Sequence, residues 1–326
     1  MRVFVAGASG AIGRQLVPQL VEAHHEVIGT YRSPGNAELL QKLGAAAVKL
    51  DLLDAGAVRR AVLEAEPDAI VHQATALADL KDFKHFDRSF ALTNKLRTAG
   101  TDALVAAAKE AGVRRIVAQS YASPRYIREG GPVKTEDDPV DPNPVPAMRE
   151  SYAAMRHLEE VVTQAGGIVL RYGGFYGDAS DALPGPVRKR QFPIVGDGGG
   201  VTSFIHLYDA AAAAVLALEH DGPAIYNIVD DEPAPVREWL PFLASVLGAK
   251  PPWHVPSWVA KLFAGDAGVM MATTSRGASN AKAKRQLGWT PRYPSWRQGF
   301  VATYGAAGLA QERRSESATR TTHSTT

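Results

Sequence analysis

Residues 3–20 of the chain read VFVAGASGAIGRQLVPQL, a short apolar run, a loop with three glycines and an amphipathic stretch. Gly7, Gly10 and Gly13 fall where a predicted strand ends and a predicted helix begins. Glycine there permits a tight turn, close approach of the backbone to a pyrophosphate, and close packing of helix on strand. The helix N-terminus would then face the phosphates. A plain structural turn is the alternative, but the strand–turn–helix context favours a dinucleotide site.

The residues around these glycines form the predicted phosphate loop: Gly7, Ser9, Gly10, Ala11, Ile12 and Gly13. About 20 residues further on, NAD-binding proteins usually place a carboxylate against the ribose 2′-OH. Here that position lies near Thr30, and Arg32 comes just beyond it. A 2′-phosphate would meet no repulsion, and a guanidinium can bind it through two hydrogen bonds. We therefore predict NADP(H) as the preferred cofactor, with NAD(H) as the alternative if Arg32 is an ordinary solvated loop residue.

Short β-branched runs alternate with longer amphipathic stretches over the first two thirds of the chain. The predicted strands are 3–6, 26–30, 46–50, 69–74, 115–120, 167–172 and 224–229. The predicted helices are 11–23, 36–43, 54–65, 87–111, 147–165, 208–219, 235–247 and 256–264. Nearly continuous apolar strands joined by helices indicate a parallel sheet that is buried on both faces. We predict an α/β fold, a Rossmann-type doubly wound parallel sheet with a smaller C-terminal substrate domain.

Turn-rich segments replace this alternation after residue 173. We assign residues 1–173 to the dinucleotide-binding domain and expect 204–222 to pack back on its sheet. Residues 174–203 and 223–305 are assigned to the substrate-binding domain. The last segment, 306–326, has no apolar face and is predicted to be a disordered tail.

Composition narrows the classes of function. The chain has 326 residues, a formal net charge of +2 and no long basic run before its tail, which argues against a nucleic-acid partner. It has no cysteine, so disulfides, thiolate metal ligands and a cysteine nucleophile are excluded. His72 and His206 have no ligand-spaced neighbours and are interpreted as core histidines rather than metal ligands. No apolar run approaches the roughly 18 residues of a membrane span. We expect a cytoplasmic protein with a small-molecule substrate and consider a homodimer.

Eight sequence segments follow one another in an order that resembles a known family. They are GASGAIG, LDLLD, AIVHQAT, TNKLRTAGTDALVAAAKEAGVRRIVAQS, VLRYGGFYG, SFIHLYDAAAAAVLALE, IYNIVDDEPAPVREWLPFLASVLG and SNAKAKRQLGWTP. Over roughly residues 1–300 this order resembles the extended short-chain dehydrogenases/reductases, the NAD-dependent epimerase/dehydratase superfamily. The resemblance implies a nicotinamide cofactor and an enzyme.

The resemblance also implies further cofactor contacts. Asp51 and Leu52 would contact the adenine, and the backbone of Gln73, Ala74 and Thr75 would line the cofactor. Asn94 would support the active site from its helix. The segment that runs past the nicotinamide would be Tyr172, Gly173 and Gly174. The alternatives are that Asp51 caps the helix near residue 54 and that Asn94 is a solvated helix residue.

The catalytic residues of the family are Ser or Thr, followed by Tyr-x-x-x-Lys, in which the tyrosine exchanges a proton with the substrate and the lysine lowers its pKa. By this resemblance Tyr152 is the tyrosine, Arg156 takes the lysine position and Ser120 supplies the hydroxyl. The chain departs from the pattern twice. Arginine replaces lysine, and a gapless comparison places the hydroxyl position nearer Tyr121 than Ser120.

The function predicted from these residues is an NADP(H)-binding oxidoreductase that acts on a carbonyl or a secondary alcohol, with Tyr152 as proton donor or acceptor. A first alternative is an epimerase, dehydratase or cyclase of the same fold without net redox chemistry. A second is a non-catalytic NADP(H) sensor. The fold alone does not choose among the three, because it hosts all of them.

Overall fold

The computed structural model describes residues 1–77, 84–177 and 183–305. Its first elements are β1 (Arg2–Ala6), α1 (Ala11–Glu22), β2 (Glu26–Tyr31), α2 (Asn36–Lys42), β3 (Ala46–Lys49), α3 (Ala55–Ala65), β4 (Ala69–His72), α4 (Phe86–Lys95), a π-helical turn (Leu96–Gly100), α5 (Thr101–Glu110), β5 (Arg115–Tyr121), β6 (Val133–Lys134), a 3-10 turn (Pro146–Met148) and α6 (Arg149–Gln164).

The remaining elements are β7 (Ile168–Tyr172), β8 (Gly174–Tyr176), α7 (Pro184–Arg188), β9 (Ile194–Val195), β10 (Val201–Thr202), β11 (Phe204–His206), α8 (Leu207–Ala217), β12 (Ala224–Ile228), β13 (Ala234–Pro235), α9 (Val236–Val246), β14 (His254–Val255), α10 (Ser257–Thr273), β15 (Gly277–Ala278), α11 (Ala281–Gln286) and α12 (Trp296–Tyr304). None of the described helices is both long enough and apolar enough to cross a membrane.

Seven strands form one parallel sheet in the order β3-β2-β1-β4-β5-β7-β12. The strand order reverses between β1 and β4, and in such sheets ligands bind outside the carboxyl ends of the strands at that reversal. The structure therefore confirms the predicted doubly wound α/β fold, and the reversal lies beside the glycine loop, where the sequence predicts the cofactor.

The alternating side chains of β1 show how the sheet is covered on both faces. Val3 and Val5 face one apolar core with α1 and α8, while Phe4 faces the other with α3 and α5. Each of the three side chains is fully buried. This explains why the strand is apolar at consecutive positions rather than at alternate ones.

The structure differs from the sequence-based assignment at three places. β12 (Ala224–Ile228) is the seventh strand of the sheet, although the sequence pattern assigns it to the smaller domain. The single predicted helix 87–111 is interrupted by the π-helical turn, and α10 continues nine residues beyond its predicted end at 264. Within α10, Gly265 has φ 64° and interrupts the helical backbone. The predicted end of the helix at residue 264 lies at this interruption.

The C-terminal part adds its own apolar core, formed mainly by α9, α12, β8 and β11. Its largest aromatic side chains are Tyr176, Phe204, Trp239, Trp296 and Phe300. By contrast, α8 packs against α1 in the core of the sheet, and Gln19 donates a hydrogen bond to the Tyr208 carbonyl (3.2 Å).

Candidate active site

The glycine loop is tied closely to β4 and β2. Gly7 has φ 87°, and a Cβ atom there would lie 2.7 Å from the backbone of Ala74. A Cβ on Gly13 would lie 2.2 Å from the carbonyl oxygen of Ala8. The Gly7 N–H donates to the Thr30 hydroxyl at 3.0 Å, so the residue at the usual carboxylate position fixes the loop instead. The first and third glycines are thus required by this structure itself.

The N-terminus of α1 offers free donors at this loop. Gly10 is the N-cap residue, and no side chain from the described part of the chain caps the helix. The first N–H groups of an α-helix have no partner within the helix, so those of Ala11, Ile12 and Gly13 are available to an anion. On the loop's outer side, Arg14 Nε donates to the Ser9 carbonyl at 3.0 Å. These groups fit the pyrophosphate of a dinucleotide.

The ends of β2 and β3 determine what surrounds the adenosine half of such a cofactor. Arg32 is exposed, and its guanidinium has no hydrogen bond or ion pair with any residue of the described ranges. The Asp51 carboxylate accepts a hydrogen bond from Leu53 N–H at 3.0 Å and is exposed, whereas the Leu52 side chain is buried in the core. Asp54, not Asp51, caps α3 through the Ala57 N–H.

At the end of β4, His72 is buried, and burial, more than any other cause, lowers its pKa to about 4. Its Nδ1 accepts from Ala74 N–H at 3.4 Å, as a neutral core histidine does.

Gln73 donates to the Tyr172 hydroxyl at 3.4 Å, while its buried Oε1 lacks a partner in the described chain. Thr75 follows, partly exposed. Over residues 1–77, 84–177 and 183–305 no cluster of three His, Asp or Glu could hold a metal ion.

The segment after β7 is held against β11 and β12. Gly173 N–H donates to the Ile228 carbonyl at 3.1 Å, and Gly174 N–H to the Ser203 carbonyl at 2.8 Å. A Cβ on Gly173 would lie 2.6 Å from the Ser203 carbonyl oxygen, so this position needs glycine. The Tyr172 hydroxyl donates to the Ala210 carbonyl at 3.1 Å and is turned into the core. A cofactor contact in this segment would therefore come from its backbone.

Tyr152 and Arg156 do not form the expected pair, in which the phenol would lie beside the cation that lowers its pKa. The Tyr152 hydroxyl donates to the Pro124 carbonyl at 2.9 Å. Burial and then Asp141 raise the pKa of Tyr152, while Arg125, not Arg156, is the main cation that opposes them. Arg156 is exposed and lines a cleft of about 450 Å³ between α6 and the loop that contains Asp141. The described residues around Tyr152 thus raise its pKa on balance, and its catalytic role stays a prediction.

The third predicted residue, Ser120, belongs to a buried ionic network. Its hydroxyl donates to Glu159 at 2.7 Å, and the same carboxylate binds both Arg125 and Arg171. Burial raises the pKa of Glu159, but the two guanidiniums outweigh it and hold this pKa at about 2. The Ser120 hydroxyl is therefore occupied by the network that joins α6 to β5 and β7.

Two residues that sequence reasoning did not assign lie at this end of the sheet. Arg97, in the π-helical turn, is only 4% exposed and makes no hydrogen bond or ion pair with the residues described. Burial, followed by the charge of Arg125, lowers its pKa to about 10. Tyr121 ends β5, and its hydroxyl likewise lacks a protein partner in those ranges. The shifted hydroxyl position at Tyr121 was the one sequence signal for this pair.

An apolar cluster from α4, α6 and α10 lies beside Tyr121. We call it the chamber cluster; its buried members are Phe86, Met148, Tyr152, Met155, Ala267 and Met270. Phe90 and Tyr121 pack against it, and the rings of Phe86 and Phe90 stack with centroids 4.1 Å apart. Asn94 on α4 donates to Ser151 at 3.0 Å, while its buried Oδ1 is unpaired among described residues. The cluster thus combines aromatic and thioether side chains, which pack well against aromatic rings.

Several known proteins are similar to this chain in sequence, and others are similar to it in fold. The profile of the NAD dependent epimerase/dehydratase family matches residues 3–229. A 3-diazoavenalumate denitrifying reductase from a Streptomyces species is 42% identical over 310 residues, 92% of this chain and 99% of that protein. A 4-hydroxy-2-methyl-3-oxo-4-farnesyl-3,4-dihydroquinoline-1-oxide ketoreductase from Stigmatella aurantiaca is 29% identical over 260 residues, 77% of this chain and 74% of that protein.

Among solved structures, the dTDP-glucose 4,6-dehydratase from Streptomyces venezuelae with NAD bound has a TM-score of 0.72 and 25% identity, covering 93% of this chain and 96% of that chain. UDP-glucose 4-epimerase from Thermotoga maritima has a TM-score of 0.75 at 22% identity, over 96% and 99% of the two chains, and shows the shared fold. The comparisons confirm the prediction of an enzyme with the fold of the extended short-chain dehydrogenases/reductases. The chain belongs to the NAD dependent epimerase/dehydratase family.

Proposed function

We propose that the protein is an NADPH-dependent reductase of a small, largely planar organic molecule. The observation that carries this proposal is the 42% identity to a reductase over nearly the whole of that protein. The glycine loop, the uncapped N-terminus of α1 and the unpaired Arg32 fit a dinucleotide with a 2′-phosphate. When bound, the nicotinamide supplies a hydride. The chain itself orients the cofactor, surrounds the acceptor with the chamber cluster and provides a proton.

For the acceptor we favour a diazo group, because the relative at 42% identity is named for the denitrifying reduction of a diazo compound. A neutral diazo carbon gains one hydride and one proton, its bond to nitrogen breaks, and N₂ leaves. A ketone is the second candidate, since the Stigmatella relative is a ketoreductase. A ketone also takes up one hydride and one proton, so either acceptor requires a proton donor in the site.

The test is to offer NADPH deuterated at the nicotinamide C4 position with two probes of similar size, a diazonaphthoquinone and an aryl ketone. We expect oxidation of NADPH, release of N₂ and deuterium at the former diazo carbon. Deuterium in an alcohol formed from the ketone, with the diazo probe unchanged, would support the second candidate. Tight binding of NADPH without reduction of either probe would contradict the reductase proposal.

The same experiment separates the reductase from a non-redox enzyme of this fold. An epimerase, dehydratase or cyclase converts its substrate without net loss of the reduced-nicotinamide absorbance. Stoichiometric consumption of NADPH with product formation therefore excludes that alternative. Parallel reactions with NADH test the proposed preference for NADPH.

A further inference from the structure

Arg97 and Tyr121 are polar groups that the described fold leaves without partners. The Arg97 Nε is a buried donor with no acceptor, and the side chain is 4% exposed. The Glu159 carboxylate acts on Arg97 only at a distance, because its hydrogen bonds go to Arg125 and Arg171. A buried cation without a direct partner destabilises a fold. A ligand that brings an acceptor oxygen to this guanidinium would remove that cost.

The surroundings of Arg97 place it at the carboxyl ends of β4 and β5. Its charge acts on His72, the last residue of β4, and on Tyr121, the last residue of β5. The unpaired Asn94 Oδ1 is three residues before it and so lies on the same helical face. Gln73 Oε1, also unpaired in the described ranges, follows β4 directly. Polar atoms that need a partner are thus concentrated at the sheet edge where this fold binds ligands.

The side chain of Tyr121 connects this polar edge with the chamber cluster. Its ring packs against that cluster, which contains Tyr152 and Met155, while burial raises its pKa and the nearby Arg97 guanidinium lowers it. Tyr152 differs because its hydroxyl already donates to the Pro124 carbonyl, and because the charge of Asp141 adds to burial in raising its pKa against the nearby Arg125 and Arg128. The free phenol near a buried cation is therefore Tyr121.

We propose that Tyr121 and Arg97 bind the substrate oxygen that gains negative charge during reduction, and that Tyr121 supplies its proton. This inference rests on the proposed reductase function. It transfers to Tyr121 and Arg97 the role that the sequence pattern assigns to Tyr152 and Arg156.

With a ketone, the carbonyl carbon gains a hydride from the reduced nicotinamide, and the π electron pair of the C=O bond moves to oxygen. That oxygen takes the proton of Tyr121, and the resulting phenolate lies beside Arg97 until water returns a proton. With a diazo ketone, the diazo carbon gains the hydride, the C–N bond breaks and N₂ leaves. The negative charge then rests on the conjugated oxygen, which takes the same proton.

Binding of an oxyanion probe tests the pair without turnover. We would titrate 4-nitrophenol, in the presence of NADP⁺, into the unchanged protein and into Tyr121→Phe, Arg97→Met and Arg97→Lys. We expect binding as the phenolate, seen by its absorbance, and an affinity about 10–100-fold weaker in Tyr121→Phe and Arg97→Met, as for the loss of one charged hydrogen bond. Partial recovery is expected in Arg97→Lys. Equal affinity in all four proteins, or no binding to the unchanged protein, would overturn the proposal.

Thermal unfolding of the ligand-free protein is a second readout. Because Arg97 is buried and unpaired, Arg97→Met should raise the melting temperature, and Tyr121→Phe should leave it unchanged or higher. A guanidinium that only supports the fold would give the opposite result, a lower melting temperature in Arg97→Met. NADPH affinity, followed by nicotinamide fluorescence, reports whether the cofactor site of each variant is intact.

Turnover with the diazo and ketone probes completes the test. Removal of a general acid typically costs about 10²–10⁴-fold in rate, and we expect a loss in this range for Tyr121→Phe. If Tyr152→Phe loses turnover while Tyr121→Phe keeps it, the proton donor is Tyr152 and the proposal is wrong. If neither probe is reduced by the unchanged protein, the reductase function fails, and 4-nitrophenol binding still decides the role of the pair.

Discussion

At the scale of single residues, the Arg32 guanidinium is central to the proposed cofactor preference. It is exposed and unpaired within the described chain, two residues beyond Thr30, which lies at the position where NAD-binding proteins of this fold usually carry an acid. We predict that Arg32→Ala weakens NADPH binding about 10–100-fold, because a hydrogen bond to a charged group contributes about 1.5–3 kcal/mol. NADH affinity should stay the same, and so should both affinities in Arg60→Ala, an exposed arginine on α3. Nicotinamide fluorescence titrations measure both, and an equal loss for NADPH and NADH would contradict the assignment.

Gly13 is a residue whose replacement should affect the loop through sterics alone. Its added Cβ would lie 2.2 Å from a backbone oxygen, which cannot rotate away as a side chain can. We predict that Gly13→Ala destabilises the protein by about 1–3 kcal/mol and abolishes NADPH binding. Gly185→Ala is the matched control, because a Cβ there meets no atom of the described residues within 4 Å. Chemical denaturation and cofactor titration give the two readouts, and unaltered NADPH affinity in Gly13→Ala would refute the steric argument.

These residues also show what the sequence can and cannot predict about the site. The glycine loop is predictable, because its geometry depends on a few consecutive residues and on a helix that begins there. The surroundings of Tyr152 and Tyr121 are not predictable in this way. The Tyr152 hydroxyl bonds to Pro124, 28 residues away in the chain, and the charge near Tyr121 comes from Arg97 in the π-helical turn. Arg97 gives no signal in the sequence, since a buried arginine and an exposed one have the same helical context.

At the scale of elements, one carboxylate joins α6 to β5 and β7. Glu159 lies between the Arg125 and Arg171 guanidiniums and is buried with them. We predict that Glu159→Gln lowers the free energy of unfolding by about 3–5 kcal/mol, because two cations then remain buried without a counter-charge. Urea unfolding checks this, with Glu160→Gln, an exposed neighbour, as control. A loss below about 1 kcal/mol would show that the network contributes little.

The same network predicts that the free energy of unfolding decreases at acid pH, which we call the acid limb of the stability curve. Glu159 has a pKa of about 2 in the fold against an ordinary value of 4.5, so the folded state favours its ionised form. This contribution is complete above about pH 4.5 and is lost as the pH falls from there towards 2. In Glu159→Gln that limb should be flatter, which unfolding curves between pH 6 and 3 would measure. An unchanged pH dependence would assign the acid limb to other carboxylates.

At the scale of the whole molecule, the sheet depends on two elements from the C-terminal part of the chain, the strand β12 and the helix α8. A chain that ends at residue 203 keeps most of the predicted cofactor domain but loses β12 and α8. It would expose the face of α1 that α8 covers and the edge of β7 that β12 pairs with. We therefore predict that this shortened chain does not fold cooperatively. Near-UV circular dichroism and binding of an apolar dye would show it, and a native-like spectrum would mean that the first five sheet strands suffice with β7.

The sequence predicts this architecture well because its strands are apolar over consecutive residues and separated by glycines and amphipathic helices. It fails where a choice depends on distant partners. The sequence of residues 224–229 predicts a strand but not the sheet to which the strand belongs. Its pairing with β7 in the structure places it in the main sheet. The short strands β8 to β11 and β13 to β15 have two or three residues each, too few for any periodicity to reveal them.

The chamber cluster contains side chains from three helices, and one of them, α10 (Ser257–Thr273), begins 244 residues after Gly13 of the glycine loop. The groups that would hold the cofactor's phosphates all precede residue 33. We therefore expect substitutions at Met270 and its neighbours to alter the choice of substrate while the nucleotide half of the predicted site stays the same. Substrate choice and cofactor binding can then be changed separately, the first from α10 and the second from the first two strands.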